Sequence, residues 1–134
     1  MKQLKRNVDK EGRPLLPSET RLLEFEGDEL ARVSTRRGNA PRWTEVHVYR
    51  TSDGSYVLNT IGQSVISGEI PLTWWGVVST PAELVAEMFR WSREDEHLFL
   101  PTISMEALEE AAYEDDELDA YLEEHPEYLP RNVR

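Results

Sequence analysis

Between Glu94 and Glu127 the chain carries fourteen Asp or Glu residues and no Lys or Arg. Within that block Glu106, Glu109, Glu110, Glu114, Asp115, Asp116, Glu117 and Asp119 interleave with apolar residues at helical spacing, which predicts charge on a folded surface rather than in a solvated tail. The chemistry open to such a row is electrostatic. Carboxylates fixed on helices imitate the phosphate row of duplex DNA for a protein whose basic cleft expects nucleic acid. The pattern also tolerates local penalties. Glu106 and Glu110, Glu110 and Glu114, and Asp115 and Asp119 are like charges four apart, each pair costing about 0.2–0.5 kcal/mol on a helix. Glu123 and Glu124 lie near a helix C-terminus, where the dipole favours cations. The ordinary alternative is the solvated outer face of amphipathic helices in an acidic protein.

Other constellations are weaker. Glu94-Asp95-Glu96-His97 and Glu123-Glu124-His125 offer hard oxygens and imidazoles, but neither has the His-Glu-x-x-His spacing of a zinc helix or the pattern of a calcium loop. A zinc site from His47, His97 and His125 would need three unrelated elements to converge, so no metal and no cofactor is expected. His47 sits near Glu45, Tyr49, Arg50 and Asp53, enough for an acid–base pair, and a small hydrolytic enzyme using His47 is the third reading. Strand alternation puts Glu45, His47 and Tyr49 on one face, which equally describes a solvent-facing stripe. With no Gly-rich phosphate loop, no Gly-x-Ser-x-Gly elbow and no cysteine, the chain is expected to be a non-enzyme.

The elements that must position these residues read as α+β. Residues 1–19 combine Lys and Arg with Gly12, Pro14 and Pro17 and are expected to form an irregular basic arm. From 20 to 102 the pattern predicts an antiparallel sheet of four to five strands packed by one helix. Strands are expected at 21–26 and 30–35, with a loop at 36–41. The clearest signal is a hairpin: 43–50 and 56–61 are β-branched and aromatic around Ser52-Asp53-Gly54. A three-residue loop with Gly54 left-handed would pair Val48 with Leu58, and other loop lengths shift the faces. Gly62 and Gly68 are expected to bracket a further strand at 63–67, and 73–78 another. Thr80-Pro81-Ala82-Glu83 signals a helix start, with Thr80 as N-cap and Glu83 closing a capping box. Leu84, Val85, Met88 and Trp91 then fall on one face. Residues 103–134 make an acidic helical segment and tail, Ser104 capping a helix whose stripe is Met105, Leu108, Ala111 and Ala112. Leu118, Tyr121 and Leu122 follow in a third piece. Whether one bent helix or two short ones carries this segment is left open by the pattern.

Composition bounds the partners. The formal net charge is −11, and residues 1–50 carry eleven basic and eight acidic side chains against four and eighteen in 51–134. The acidic half is therefore expected to avoid nucleic acid and anionic lipid, and to meet a basic protein, most concretely a nucleic-acid-binding complex. Arg36, Arg37, Arg42 and Arg50 form a basic group in the β portion that can serve the chain's own acidic helices or a separate acidic partner. Trp74 and Trp75 must point to opposite faces of a strand, so one of them is expected to be an exposed apolar anchor for a partner. No eighteen-residue apolar run and no apolar stretch after the basic start occur, so a cytoplasmic location is expected. The compositional type, small, acidic, cysteine-free and single-domain, resembles phage-encoded inhibitors of host defence, including anti-CRISPR and anti-restriction proteins, although no stretch matches a family motif. The resemblance implies a non-enzymatic inhibitor acting as a DNA mimic. The alternative is an interaction or assembly module that binds through its β-sheet edge, with the acidic block serving solubility.

Overall fold

The computed structural model describes residues 1–94 and 100–129, with side chains for all of these but 89–94, 100 and 101. The chain is α+β. Strands β1 (Lys2–Arg6) and β2 (Arg21–Phe25) pair antiparallel as a two-stranded sheet. Strands β3 (Gly27–Ser34), β4 (Arg42–Thr51), β5 (Tyr56–Ser64) and β6 (Leu72–Val78) form a four-stranded antiparallel meander in that order. Helices α1 (Pro81–Glu94), α2 (Leu100–Glu114) and α3 (Asp116–Glu124) follow.

Hairpin β4–β5 has the register that its turn demands. Val48 pairs with Leu58, Gly54 takes a φ of 91°, and the Thr51 N–H donates to Ser55 O at 2.8 Å across a three-residue loop. Asp53 holds the turn by accepting from the Thr51 hydroxyl and the Ser55 N–H. Register then sorts the sheet into two faces. Val46, Val48, Tyr56, Leu58, Thr60 and Trp74 lie on one face, and the apolar members of that set join Leu84, Val85 and Met88 of α1 and Ile103, Ala107, Leu108, Ala111 and Ala112 of α2 in one core. Leu118 and Leu122 of α3 enter the same core. Helix α1 meets β5, while α2 lies mainly across β3 and β4.

The second face is covered by the β1–β2 sheet. Phe25 meets Tyr49 edge-on at 5.3 Å between ring centroids, and the Arg6 guanidinium lies 4.2 Å over the Trp75 ring. Consequently the Glu45, His47, Tyr49 stripe is not solvent-facing: His47 is 4% and Tyr49 5% exposed. The expectation of an irregular arm over residues 1–19 is corrected on the same evidence. Only Leu4 interrupts the polar run Lys2 to Arg6, so the strand is invisible until β2 supplies its partner. The arm also closes the free edge of β6. Thr73 O accepts from the N–H of Asn7 at 3.0 Å and of Val8 at 3.3 Å, and Trp75 O accepts both Arg6 Nε and an Arg6 terminal nitrogen, at 3.1 and 2.7 Å. An unsealed edge would be a template for foreign strands.

Several local expectations change. The separate strand at 63–67 does not form, because β5 runs through Gly62 to Ser64 before the chain turns. Thr80 does cap α1, its hydroxyl accepting from the Glu83 N–H at 3.1 Å, but Glu83 reaches back to Ser79 N at 2.8 Å instead of to Thr80. Ser104 is not a cap, since α2 begins at Leu100 and buries Ser104 completely. The Trp91 side chain lies outside the described residues. Trp74 and Trp75 do face opposite ways, but neither is the exposed anchor expected. Trp74 is 8% exposed in the core, and Trp75 is half-buried beneath Arg6.

Trp74 has room because its neighbour two along is glycine. A Cβ on Gly76 would come within 2.5 Å of the Trp74 ring. Gly76→Ala is therefore expected to displace that ring and cost about 1–3 kcal/mol, read as a lower urea midpoint together with a changed tryptophan emission spectrum.

Candidate functional site: the acidic helical face

Helix α2 ends and α3 begins at Asp115, and the reason lies in the sheet. Asp115 has an extended backbone, φ −135° and ψ 108°, and its carboxylate accepts from the Leu118 N–H at 3.1 Å as the N-cap of α3. The same carboxylate takes an Arg50 guanidinium nitrogen at 2.7 Å and the Tyr56 hydroxyl. Arg50 also donates to Tyr56 Oη at 2.9 Å, to Glu117 at 2.8 Å and to Gly54 O at 3.2 Å. Its plane lies 4.4 Å over the Tyr56 ring. Burial, reinforced by the hydrogen bond to Asp115, pushes the Tyr56 phenol well above its usual range. Desolvation pulls Arg50 down, but its bonds to Glu117 and Asp115 outweigh that and raise it. A helical segment in two pieces is thus the outcome, with the break held by a partly buried ion pair.

This arrangement divides the carboxylates expected to bind a partner. Asp115 and Glu117 are bound to Arg50, and Glu110 accepts the Arg32 backbone N–H of β3 at 2.6 Å. Asp115, only 12% exposed in its side chain, is engaged inside the molecule and not presented outward, whereas Glu110 and Glu117 make these bonds while remaining exposed. Asp115, Asp116, Glu117 and Asp119 also sit at the N-terminus of α3, where the helix dipole favours acid. Their supposed repulsion is therefore relieved by the break. Glu106, Glu109, Glu114 and Asp116 remain exposed, joined by Glu123 and Glu124 at the unfavourable end of α3. Among the described residues none of these six carboxylates has a hydrogen-bond or ion-pair partner. By contrast, two arginines of the four-stranded sheet each hold a carboxylate: Arg32 with Glu29 at 2.6 Å and Arg42 with Glu69 at 2.5 Å.

One residue in this face was missed by sequence reasoning. Tyr113 is 87% exposed, on the outer side of α2 beside Glu109, Glu110 and Glu114. Its position three residues from Glu110 and four from Glu109 was the available signal. An exposed aromatic within a charged face is a typical interface anchor.

The acid–base alternative has a different character. His47 Nε2 meets Glu45 Oε1 at 3.0 Å, Tyr49 Oη lies 3.5 Å from His47 Nδ1, and Trp43 donates to the other Glu45 oxygen at 2.9 Å. Burial lowers the imidazole below its ordinary 6.5, with Arg32 adding to the fall and Glu45 opposing it. These are mutually satisfied groups between two layers. His125 stacks on Tyr121 at 4.3 Å between centroids, remote in role from His47, and His97 lies outside the described residues. Among the described residues no three His, Asp or Glu gather into a metal-binding group, and no helix is long and apolar enough to cross a membrane. No family model, curated protein or solved structure matches the chain.

Two expectations follow from these clusters. Asp115→Ala removes a cap, an ion pair and a phenol acceptor together, and is expected to cost about 2–4 kcal/mol in chemical denaturation, whereas Glu109→Gln should change stability by no more than about 0.5 kcal/mol. Because the folded His47 binds its proton less readily than the unfolded residue, stability is complete above about pH 6.5 and falls as pH drops below it. His47→Gln should flatten the part of the melting-temperature decline between about pH 7 and pH 5 that exceeds the variant's own.

Proposed function

We propose that the protein is a non-enzymatic inhibitor that presents the outer faces of α2 and α3 to the basic cleft of a nucleic-acid-binding protein. The observation that carries this reading is the set of exposed carboxylates Glu106, Glu109, Glu114, Asp116, Glu123 and Glu124, which have no hydrogen-bond or ion-pair partner among the described residues. Glu106, Glu109 and Glu114 fall within eight residues of one another, about 12 Å along the helix axis, and so present a row of negative charge. A basic partner would relieve the repulsion along this row and be steered to it over a distance of about a Debye length. Tyr113 adds the apolar contact that a purely electrostatic surface lacks. The anti-defence version of this role, of the phage or mobile-element type, rests on composition alone. The edge-binding alternative loses support where residues 5–8 close β6 and Glu110 occupies an N–H of β3.

Charge reversal separates the two. Immobilised wild-type protein is expected to retain nucleic-acid-binding proteins from a bacterial lysate, to release them as salt rises, and to lose them to added duplex DNA. The variant Glu106→Lys, Glu109→Lys, Glu114→Lys, Glu124→Lys should weaken that retention by about tenfold or more. Retention that is indifferent both to DNA and to the four substitutions would refute the mimic.

A further inference from the structure

An open groove of about 730 Å³ lies at the far end of hairpin β4–β5 from its turn, between Thr35, Thr44, Gly62, Ser64, Ile70 and Leu72. Its polar rim is already satisfied. The Thr35 hydroxyl accepts from Thr44 N at 2.9 Å, the Ser64 hydroxyl accepts from Ile66 N at 3.0 Å, and Arg42 holds Glu69 through two nitrogens. What remains open is apolar: Ile70 is 66% and Leu72 43% exposed. Such a cluster on a protein with 31% charged residues marks an interaction surface. Gly62 points the same way. A Cβ there would meet nothing nearer than Leu72 Cβ at 3.8 Å, so the fold itself does not require glycine, and a strand glycine of that kind suits the close approach of another group. Beside the groove, Arg36 and Arg37 continue from Thr35. Both are exposed, and among the described residues neither meets a carboxylate. Arg36 is steadied 4.0 Å over the Trp43 ring.

We propose that this groove receives Tyr113 of a second copy of the chain. An apolar groove with a cationic rim meets an exposed ring, 87% accessible, with an anionic rim of Glu109 and Glu114. Arg36 and Arg37 supply the charge partners that those two carboxylates lack among the described residues. The contact cannot form within one molecule. Tyr113 lies two residues before Asp115, which is bonded to Arg50, and Arg50 is about 27 Å along β4 from Arg42 at the groove. The two surfaces are different, so the association is head-to-tail and does not close on itself. Net charge of −11 opposes it only at range, because repulsion is screened beyond about 8 Å at physiological salt while the local pairs are not. This inference stands apart from the mimic reading, although a copy seated on Tyr113 would cover part of the same face.

Sedimentation equilibrium of the full chain decides it, in about 0.15 M salt over a series reaching about 1 mM protein. Wild type is expected to show a weight-average mass that climbs above 15.5 kDa and keeps rising with concentration. Arg36→Glu with Arg37→Glu, and separately Tyr113→Ala, should each stay at the monomer mass with unchanged far-ultraviolet circular dichroism. Mixed in equal amounts, the two variants should recover association but stop near twice the monomer mass, since one supplies the tyrosine and the other the groove. A wild type monomeric throughout, a dimer that saturates without further growth, or variants that associate like wild type would each overturn the proposal. So would a monomeric wild type whose groove binds a polyglutamate peptide, which would assign the site to a foreign acidic segment.

Discussion

Arg50 is a guanidinium held in a partly desolvated place, and it must be answered by charge. It stands beside the hairpin turn with its side chain 24% exposed and meets Asp115, Glu117, Tyr56 and the Gly54 carbonyl. Removing either charge of such a pair leaves the other uncompensated, which costs more than the pair itself contributes. The constraint reaches outward in both directions. On the sheet side it ties the end of β4 to the loop that sets the register of β5. On the helical side it holds Asp115 extended, which ends α2, starts α3 and lets Leu118 and Leu122 turn into the core.

That junction also decides which acids are structural. Asp115 and Glu117 are drawn inward, the rest of the 115–119 acids are placed where the dipole of α3 welcomes them, and Glu110 is used on β3. Electrostatic strain is thereby concentrated on the outer stripe of α2 and the C-terminal turn of α3. The molecule gains two ends of unlike character: carboxylates around Tyr113 near the Arg50 end, and, at the Arg42 end beside an apolar groove, Arg36 and Arg37, which meet no carboxylate among the described residues. Binding through the β6 edge is discouraged by the N-terminal segment. Asn7 and Val8 at Thr73, and Arg6 at Trp75, consume carbonyls that a foreign strand would seek.

Local chemistry was legible where neighbours in sequence are neighbours in space. Ser52-Asp53-Gly54 dictates its own turn through one left-handed glycine and one Asp side chain, and the Val48–Leu58 register follows from loop length. Thr80 caps α1 because the Glu83 N–H is three residues away. The acidic face was legible as a face, since period 3.6 separates Glu106, Glu109 and Glu110 from Ile103, Ala107 and Leu108. Strand β1 was not, because a segment reading Lys-Gln-Leu-Lys-Arg has no pattern of its own and is extended only by pairing with β2. Nor was the burial of His47. Alternation assigns a side chain to a face but carries no information about what lies on that face.

The sequence by itself determined the α+β class, the existence of the β4–β5 hairpin, and the sign and periodicity of the surface on the C-terminal helices, since all of these rest on patterns within a few residues. Tertiary structure alone decided where the acidic segment breaks, which carboxylates face solvent, and that Trp75 is shielded while Tyr113 is bare. Those outcomes depend on pairs such as Arg50 with Asp115 and Arg6 with Trp75, sixty-five and sixty-nine residues apart. No local rule links residues at that separation; only the packing of the sheets against each other and against the helices brings them within bonding distance.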